Sequence, residues 1–368
     1  MVRLTMVEGH LEGQLGQGKQ KAWGWRIGWY ATFAAVTVAV NVAVNGCSAP
    51  KPEGADRPKT NIPVFLLLQA SPNGKNIDAV VASDLVNQQG SLDKTVKSFP
   101  ENTQFSIMRF GQTVATFRSS TVGGSDAFGA IASFKVQDQA PDKSTDKSKD
   151  QGGANPAPLD IKTLRQPNLV IVPTDSLPKR EERNYFLNCP KNIQNQVLEK
   201  ARPLFLTLGA KQNRLNQVSI ASMVCADLDQ DSQPEIIAGL RLDNLERPAG
   251  MDPVAWQKFL ARPALERQEY SMLVWLRRGE GATDWQVEPV LTHTRALAYV
   301  NDSISSYAVM GVINLSGGNY GELVVQEIGL NSVDLLVLSA LEEVGDNAAK
   351  KVRWTSYYQN QRSLNIVQ

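Results

Sequence analysis

Histidine and cysteine are scarce in this chain of 368 residues: two histidines, His10 and His293, and three cysteines, Cys47, Cys189 and Cys225. Two histidines cannot build a histidine-rich metal centre. No C-x-x-C spacing occurs, which speaks against zinc. An excess of charge of either sign is also missing. Lys and Arg total 38 against 37 Asp and Glu, a net +1, so no electrostatic case exists for a nucleic-acid partner. No G-x-S-x-G, no S-x-x-K and no phosphate-binding glycine loop stands out. The glycine-rich GGSDAFG at 123–129 has no lysine and no helical pattern behind it, and reads as a loop. His293, in LTHTR, reads as structural. These absences favour a non-enzymatic protein.

What is present begins with an address. Residues 27–46 carry no charge and follow Arg3, Lys19, Lys21 and Arg26. A run of about 20 apolar residues is long enough to span a hydrocarbon core. Behind basic residues it reads as an export signal or as an anchor with its positive end inside. The run ends in VNGC, residues 44–47, which resembles the lipobox of bacterial lipoproteins. That resemblance implies lipidation of Cys47 after removal of residues 1–46, with residues 47–60 as a Pro-rich polar tether. The alternative is an uncleaved signal-anchor. Both readings put the bulk of the chain on the extracytoplasmic face of a bacterial envelope membrane, held there through lipid or the N-terminal segment. In an oxidising compartment Cys189 and Cys225 could pair; two buried free thiols are the other reading.

Residues 61–136 carry strand signals: NIPVFLLLQ at 61–69, and QFSIMRFGQTVATFRSS at 104–120, which reads as a hairpin turning near Gly111. Residues 137–160 are rich in Lys, Asp, Ser, Pro and Gly and hold no aromatic. Such a segment cannot bury enough apolar surface to offset its ordering entropy, so it is expected to be a disordered linker, marking a domain boundary or a surface insertion. Residues 161–368 read as a second β-rich domain. NLVIVPTD at 168–175 is a strand. KNIQNQVLEKARPLF at 191–205 places Ile193, Val197 and Ala201 on one helical face, and Pro203 is expected to end or kink it. MDPVAWQKFLARP at 251–263 starts a short helix with Asp252 as cap and Pro253 in the first turn. Residues 270–291 form a hairpin. Glu342, Glu343 and residues 346–353 read as a solvated turn before a last strand.

The chemistry concentrates in VCADLDQDSQPEIIAGL, residues 224–240. Asp227, Asp229 and Asp231 alternate and lead through Pro234-Glu235 into an apolar strand. Residues 309–330, VMGVINLSGGNYGELVVQEIGL, repeat this frame without a gap at an offset of 87. Asn314, Ser316 and Gly318 stand in place of the aspartates, and Glu322 in place of Glu235. An EF-hand needs a bidentate acid at its twelfth position, which is Ala238 here, and no helix follows.

The DxDxDxxxE loop between strands resembles the FG-GAP or VCBS-type repeat of integrin α-chain propellers and bacterial exported proteins. The match is good over 224–239 and holds in outline over 309–325. It implies a Ca²⁺ site with side-chain ligands from Asp227, Asp229, Asp231 and Glu235 and a carbonyl from Gln233. The second loop is expected to hold no ion. Ser232 stands where such loops carry glycine. A solvated acidic turn is the competing reading, although three like charges in so short a loop repel unless a cation neutralises them.

The fold expected is mainly β: a partial or irregular propeller of antiparallel blade-like units, with repeats around 220–240 and 307–327 and short helical insertions. The function expected is a membrane-tethered lipoprotein whose calcium-stabilised β-domain serves as a binding or scaffold module, for a protein or glycan partner the sequence does not name. An exported hydrolase with a cleft in the β-domain is the alternative.

Overall fold

The structure is a computed structural model that describes residues 62–97, 99–125, 130–137, 159–177, 183–279, 282–300, 302–329, 332–344 and 350–358. Residues 1–61, where the signal or anchor, Cys47 and the tether are expected, and most of the low-complexity stretch lie outside the described residues. Among those described, no helix is long and apolar enough to cross a membrane.

The first sheet holds β1 (Phe65–Ala70), β2 (Asn76–Val81), β3 (Gln104–Arg109), β4 (Gln112–Ser125), β5 (Ile131–Val136) and β6 (Val170–Pro173). Helices α1 (Ser83–Gln89) and α2 (Leu92–Lys97) follow β2, and the single turn α3 (Ile161–Leu164) precedes β6. All pairings are antiparallel and run in the order β1-β2-β5-β4-β3-β6. The circuit then returns to β1 through two residue pairs, Phe65 with Ile171 and Leu66 with Val170. Alternate residues point to opposite faces. One set fills the inside of the curl, with Phe65, Phe105, Phe117 and Phe134 in mutual ring contact. The β3–β4 turn falls at Phe110-Gly111, both left-handed with φ of 46° and 83°, as a tight two-residue hairpin requires.

Two expectations change here. The boundary placed at residue 161 falls inside this sheet, because β6 lies beyond it and pairs with both β3 and β1. The low-complexity stretch therefore separates two strands of one sheet rather than two domains. Gly123 and Gly124 belong to β4 rather than to a loop.

The rest of the chain forms two four-stranded antiparallel meanders. One comprises β7 (Ser219–Ala226), β8 (Glu235–Leu242), β9 (Gln268–Arg278) and β10 (Trp285–Ala296). The other comprises β11 (Ser306–Ile313), β12 (Glu322–Ile328), β13 (Val333–Val344) and β14 (Lys350–Ser356). Helix α4 (Ile193–Thr207) precedes the first meander, and α5 (Pro253–Leu260) lies between β8 and β9.

Four layers result. The buried face of α4, with Ile193, Val197, Ala201 and Phe205, covers one side of the first meander. The other side packs on the second meander through Val224, Ile237, Trp275, Val309, Leu323 and Trp354. The far side of the second meander packs on the outside of the curled sheet through Val324, Leu335 and Val337 against Leu66, Val80 and Met108. Central strands buried on both faces need apolar runs rather than alternation, which is why β8 reads EIIAGL. The meanders come close at Gly239, where a Cβ would stand 1.9 Å from the carbonyl oxygen of Tyr307. Only glycine permits that contact.

Helix α4 continues past Pro203 to Thr207, so the proline neither ends it there nor removes its apolar contact with the sheet. Asp252 caps α5 by accepting from the amides of Val254 and Ala255, an arrangement worth about 1 kcal/mol. Trp256 and Phe259 anchor this helix in a small core of their own. Glu342 and Glu343 lie in β13 and Lys350–Arg353 in β14, not in a turn.

Candidate metal centre

The repeat seen in the sequence is also a repeat in the backbone. Strands β7 and β11 begin and end at positions related by the offset of 87, and β8 and β12 begin so. The loops between them share their hydrogen bonds. Leu228 N–H donates to Glu235 Oε2 at 2.6 Å, and Leu315 N–H to Glu322 Oε2 at 2.7 Å. Asp231 N–H donates to Asp229 Oδ1 at 3.2 Å, and Gly318 N–H to Ser316 Oγ at 3.1 Å. Gln230 and Gly317 occupy equivalent left-handed positions, with φ of 64° and 67°. Ser232, in the glycine place, is left-handed as well, with φ 66°. A non-glycine residue held there carries a steric cost.

In the first loop, ligand oxygens of Asp227, Asp229 and Glu235 lie within 4.8 Å of one another. Each carboxylate is oriented by the backbone. Glu235 uses one oxygen for Leu228, Asp227 uses Oδ2 for Ser232 N–H at 3.1 Å, and Asp229 uses Oδ1 for Asp231. Asp227 is only 9 % exposed, and its Oδ1 is buried without a hydrogen-bond partner. An orphaned buried carboxylate oxygen is costly unless something positive meets it.

Electrostatics tell the same story. Burial raises the carboxyls of Asp227 and Asp229 above the usual range, and neighbouring aspartates push further in the same direction. Glu235 is pushed up to about 8, first by burial and then by the charges of Asp229, Asp231 and Asp227, against the bond from Leu228. The cluster is thus strained electrostatically as three free carboxylates. Hard, oriented oxygens on such a loop suit Ca²⁺, which takes oxygens only.

The structure brings three of the five expected ligands together. Asp231 and Gln233 are exposed and lie outside the triad. The Asp231 carboxylate turns back to accept Gln233 N–H at 2.6 Å. In the second loop Glu322 is fully buried and accepts from both Leu315 and Ser316. Asn314 Oδ1 is taken by Gly317 N–H at 2.9 Å. That loop closes with its own amides.

A second set of residues around the loop carries no signal in the sequence. Tyr185 is fully buried. Its carbonyl accepts Asp227 N–H at 2.9 Å, and its amide donates to Phe110 O at 3.0 Å. Its ring fills the space that Cβ atoms at Gly111 and Gly321 would occupy. Burial pushes its phenol up, and the nearby Arg183 guanidinium offsets part of that. Arg183 also donates to Gly318 O at 3.3 Å. Leu187 N–H donates to Cys225 O at 3.2 Å. Cys189 and Cys225 are joined in a disulfide with Cα atoms 5.2 Å apart. The one hint in the sequence was Cys189: a bond to Cys225 brings its neighbours to the start of the acidic loop.

His293 lies in β10 with Nδ1 3.8 Å from Glu327 Oε1 of β12, away from the acidic cluster.

Searches against protein-family models, curated proteins and solved structures find no match.

Proposed function

We propose that the loop at 227–235 binds Ca²⁺ and that the ion's role is structural. One observation carries this reading: Asp227 Oδ1 is buried without a hydrogen-bond partner, in a cluster where carboxylate oxygens of Asp227, Asp229 and Glu235 lie within 4.8 Å of one another. Asp227, just past the end of β7, Asp229 in the loop and Glu235 at the start of β8 would hold the ion, tying the ends of two strands together. Asp231 and the Gln233 carbonyl would have to turn inward to join, and water is the alternative source for the remaining positions. An ion that binds the folded chain alone stabilises it by an amount that grows with the logarithm of ion concentration over the dissociation constant.

The finer fold reading is also ours. Two stacked four-stranded meanders with equivalent loops resemble adjacent propeller blades, and the likeness supports an irregular, partial propeller of the FG-GAP or VCBS kind. With the lipobox-like VNGC, the whole reads as an exported lipoprotein whose β-domain is a binding or scaffold module on the outer face of a membrane. A groove of about 440 Å³ beside Phe186, Met223 and Met310 offers apolar surface for such a role. Its lining brings together the Arg109 guanidinium, asparagine amides, thioethers, the disulfide and the Ser222 hydroxyl, which donates to Tyr307 O at 2.9 Å.

Isothermal titration of the full chain with CaCl₂ after chelator treatment tests the ion. One site is expected, lost in Asp229→Ala. Mass spectrometry of membrane-extracted protein tests the anchor. A lipid-modified Cys47 as first residue is expected, and an intact 1–46 segment would make this a signal-anchored protein instead.

A further inference from the structure

We propose that residues 183–189 are a redox-releasable brace for the acidic loop: the Cys189–Cys225 disulfide holds the segment in place, and reduction of that bond frees it and weakens cation binding at Asp227. The affinity half of this proposal rests on the calcium reading; the release half does not.

The segment touches every part that meets at the loop. Tyr185 N–H reaches the β3–β4 turn at Phe110, and Tyr185 O holds the amide of Asp227. Arg183 holds the second loop at Gly318. The Tyr185 ring is wedged against Gly111 on one side and Gly321 on the other. Asp227 is the first residue of the acidic cluster, so its backbone position is set partly by Tyr185.

Beyond those contacts of Arg183 and Tyr185, and the Phe186 ring 5.3 Å from that of Phe110, the segment 183–189 is held, among the described residues, only at the edge of β7. It adds to the edge of β7 through one isolated bridge, Phe186 opposite Ala226, and the two backbone bonds from Leu187 and Asp227. So short a pairing is marginal by itself. Asn184, Phe186, Asn188 and Cys189 are exposed, and Tyr185 is the only buried side chain in the stretch. The disulfide is the covalent tie at its far end.

That tie is open to attack from one side. Cys225 is 1 % exposed while Cys189 is exposed, and Cys189 lines the groove beside Phe186 and Met223. A thiolate of a dithiol reductant attacks Cys189 Sγ, and Cys225 leaves as a thiolate that takes up a proton. The second thiol of the reductant then resolves the mixed disulfide. Two thiols remain on the chain, and the reductant carries the new disulfide.

The test uses the full chain, oxidised and after dithiothreitol, with two readouts. Calcium affinity is expected to weaken about fivefold or more on reduction, the lower end of usual site-to-site coupling. Hydrogen exchange at the Leu187 and Asp227 amides is expected to quicken about tenfold, while the Trp275 amide in β9 keeps its protection. The Cys189→Ser/Cys225→Ser double variant should behave as the reduced chain and ignore the reductant. Unchanged exchange at Leu187 and Asp227 overturns the brace. So does parallel loss of protection at Trp275, which would mean the bond holds the whole fold. Faster exchange with unchanged affinity overturns its coupling to the cation. An oxidised chain that binds no calcium sinks the ion reading alone, and the exchange data still decide the brace.

Discussion

The amide of Gly321 donates to the carbonyl of Leu228 at 2.9 Å, so the two copies of the repeated loop are joined directly through their backbones. Leu228 is the residue whose own amide holds Glu235, and Gly321 precedes Glu322. The loop with Asn314, Ser316 and Gly318 in place of the aspartates thus props the loop that carries them. Tyr320, in the second loop, feels the first: its phenol is pushed up to about 12 by burial and by the charges of Asp229 and Glu342.

Gly321→Ala should therefore damage the junction. A Cβ there would stand 2.5 Å from Val312 Cγ1 and 2.9 Å from Tyr185 Cε1. Overpacking of this kind costs about 1–3 kcal/mol. Guanidinium denaturation should show a lower midpoint with little change in slope; an unchanged midpoint would mean the junction yields freely.

The acidic cluster makes stability depend on pH in an unusual direction. Glu235 moves from its ordinary 4.5 to about 8 in the folded chain, chiefly by burial. Between those values the folded state keeps a proton that the unfolded state has released. The contribution of Glu235 is therefore present below pH 4.5 and lost as pH rises to about 8. Asp227 and Asp229 are raised too and act in the same sense. In chelator, the chain should melt lower at pH 8 than at pH 5.5, with a smaller difference in Glu235→Gln. Calcium competes with the proton, so its stabilising effect should be larger at pH 8. A chelated chain whose stability rises across this range would contradict the assignment.

Much of this could be read from the sequence, for definite reasons. Strands β1, β3, β6 and β8 are short apolar runs bounded by turn residues. The repeat was visible because its offset is constant through the loop. Helix α5 announced itself through Asp252 and Pro253. What could not be read depends on contacts between distant segments. Nothing in NLVIVPTD says that β6 returns to a sheet begun a hundred residues earlier. Pro203 does not end the helix, because local backbone chemistry is outweighed by the burial of Val197, Ala201 and Phe205 against the sheet. Alternation in DLDQD put three aspartates on one list, but Asp231 is exposed and its carboxylate is taken by Gln233 N–H. Tyr185 had no pattern to mark it at all.

One left-handed position in the loop suggests a gain. Ser232 sits at φ 66° where glycine meets no steric objection. Ser232→Gly should raise stability by about 1 kcal/mol and should not weaken calcium binding. Urea unfolding with and without calcium would check both; a loss of stability would mean the serine makes a contact that outweighs its strain.

The central claim is that Asp227, Asp229 and Glu235 form a structural calcium site. It is tested most directly by thermal melting of the native chain and of Asp229→Ala, each in excess CaCl₂ and in chelator at pH 7.5. Stabilisation of about 3 kcal/mol is expected at a calcium concentration a hundred times the dissociation constant. The native chain should melt several degrees higher with calcium, and Asp229→Ala should melt alike in both. Identical melts for the native chain, with and without calcium, would contradict the account.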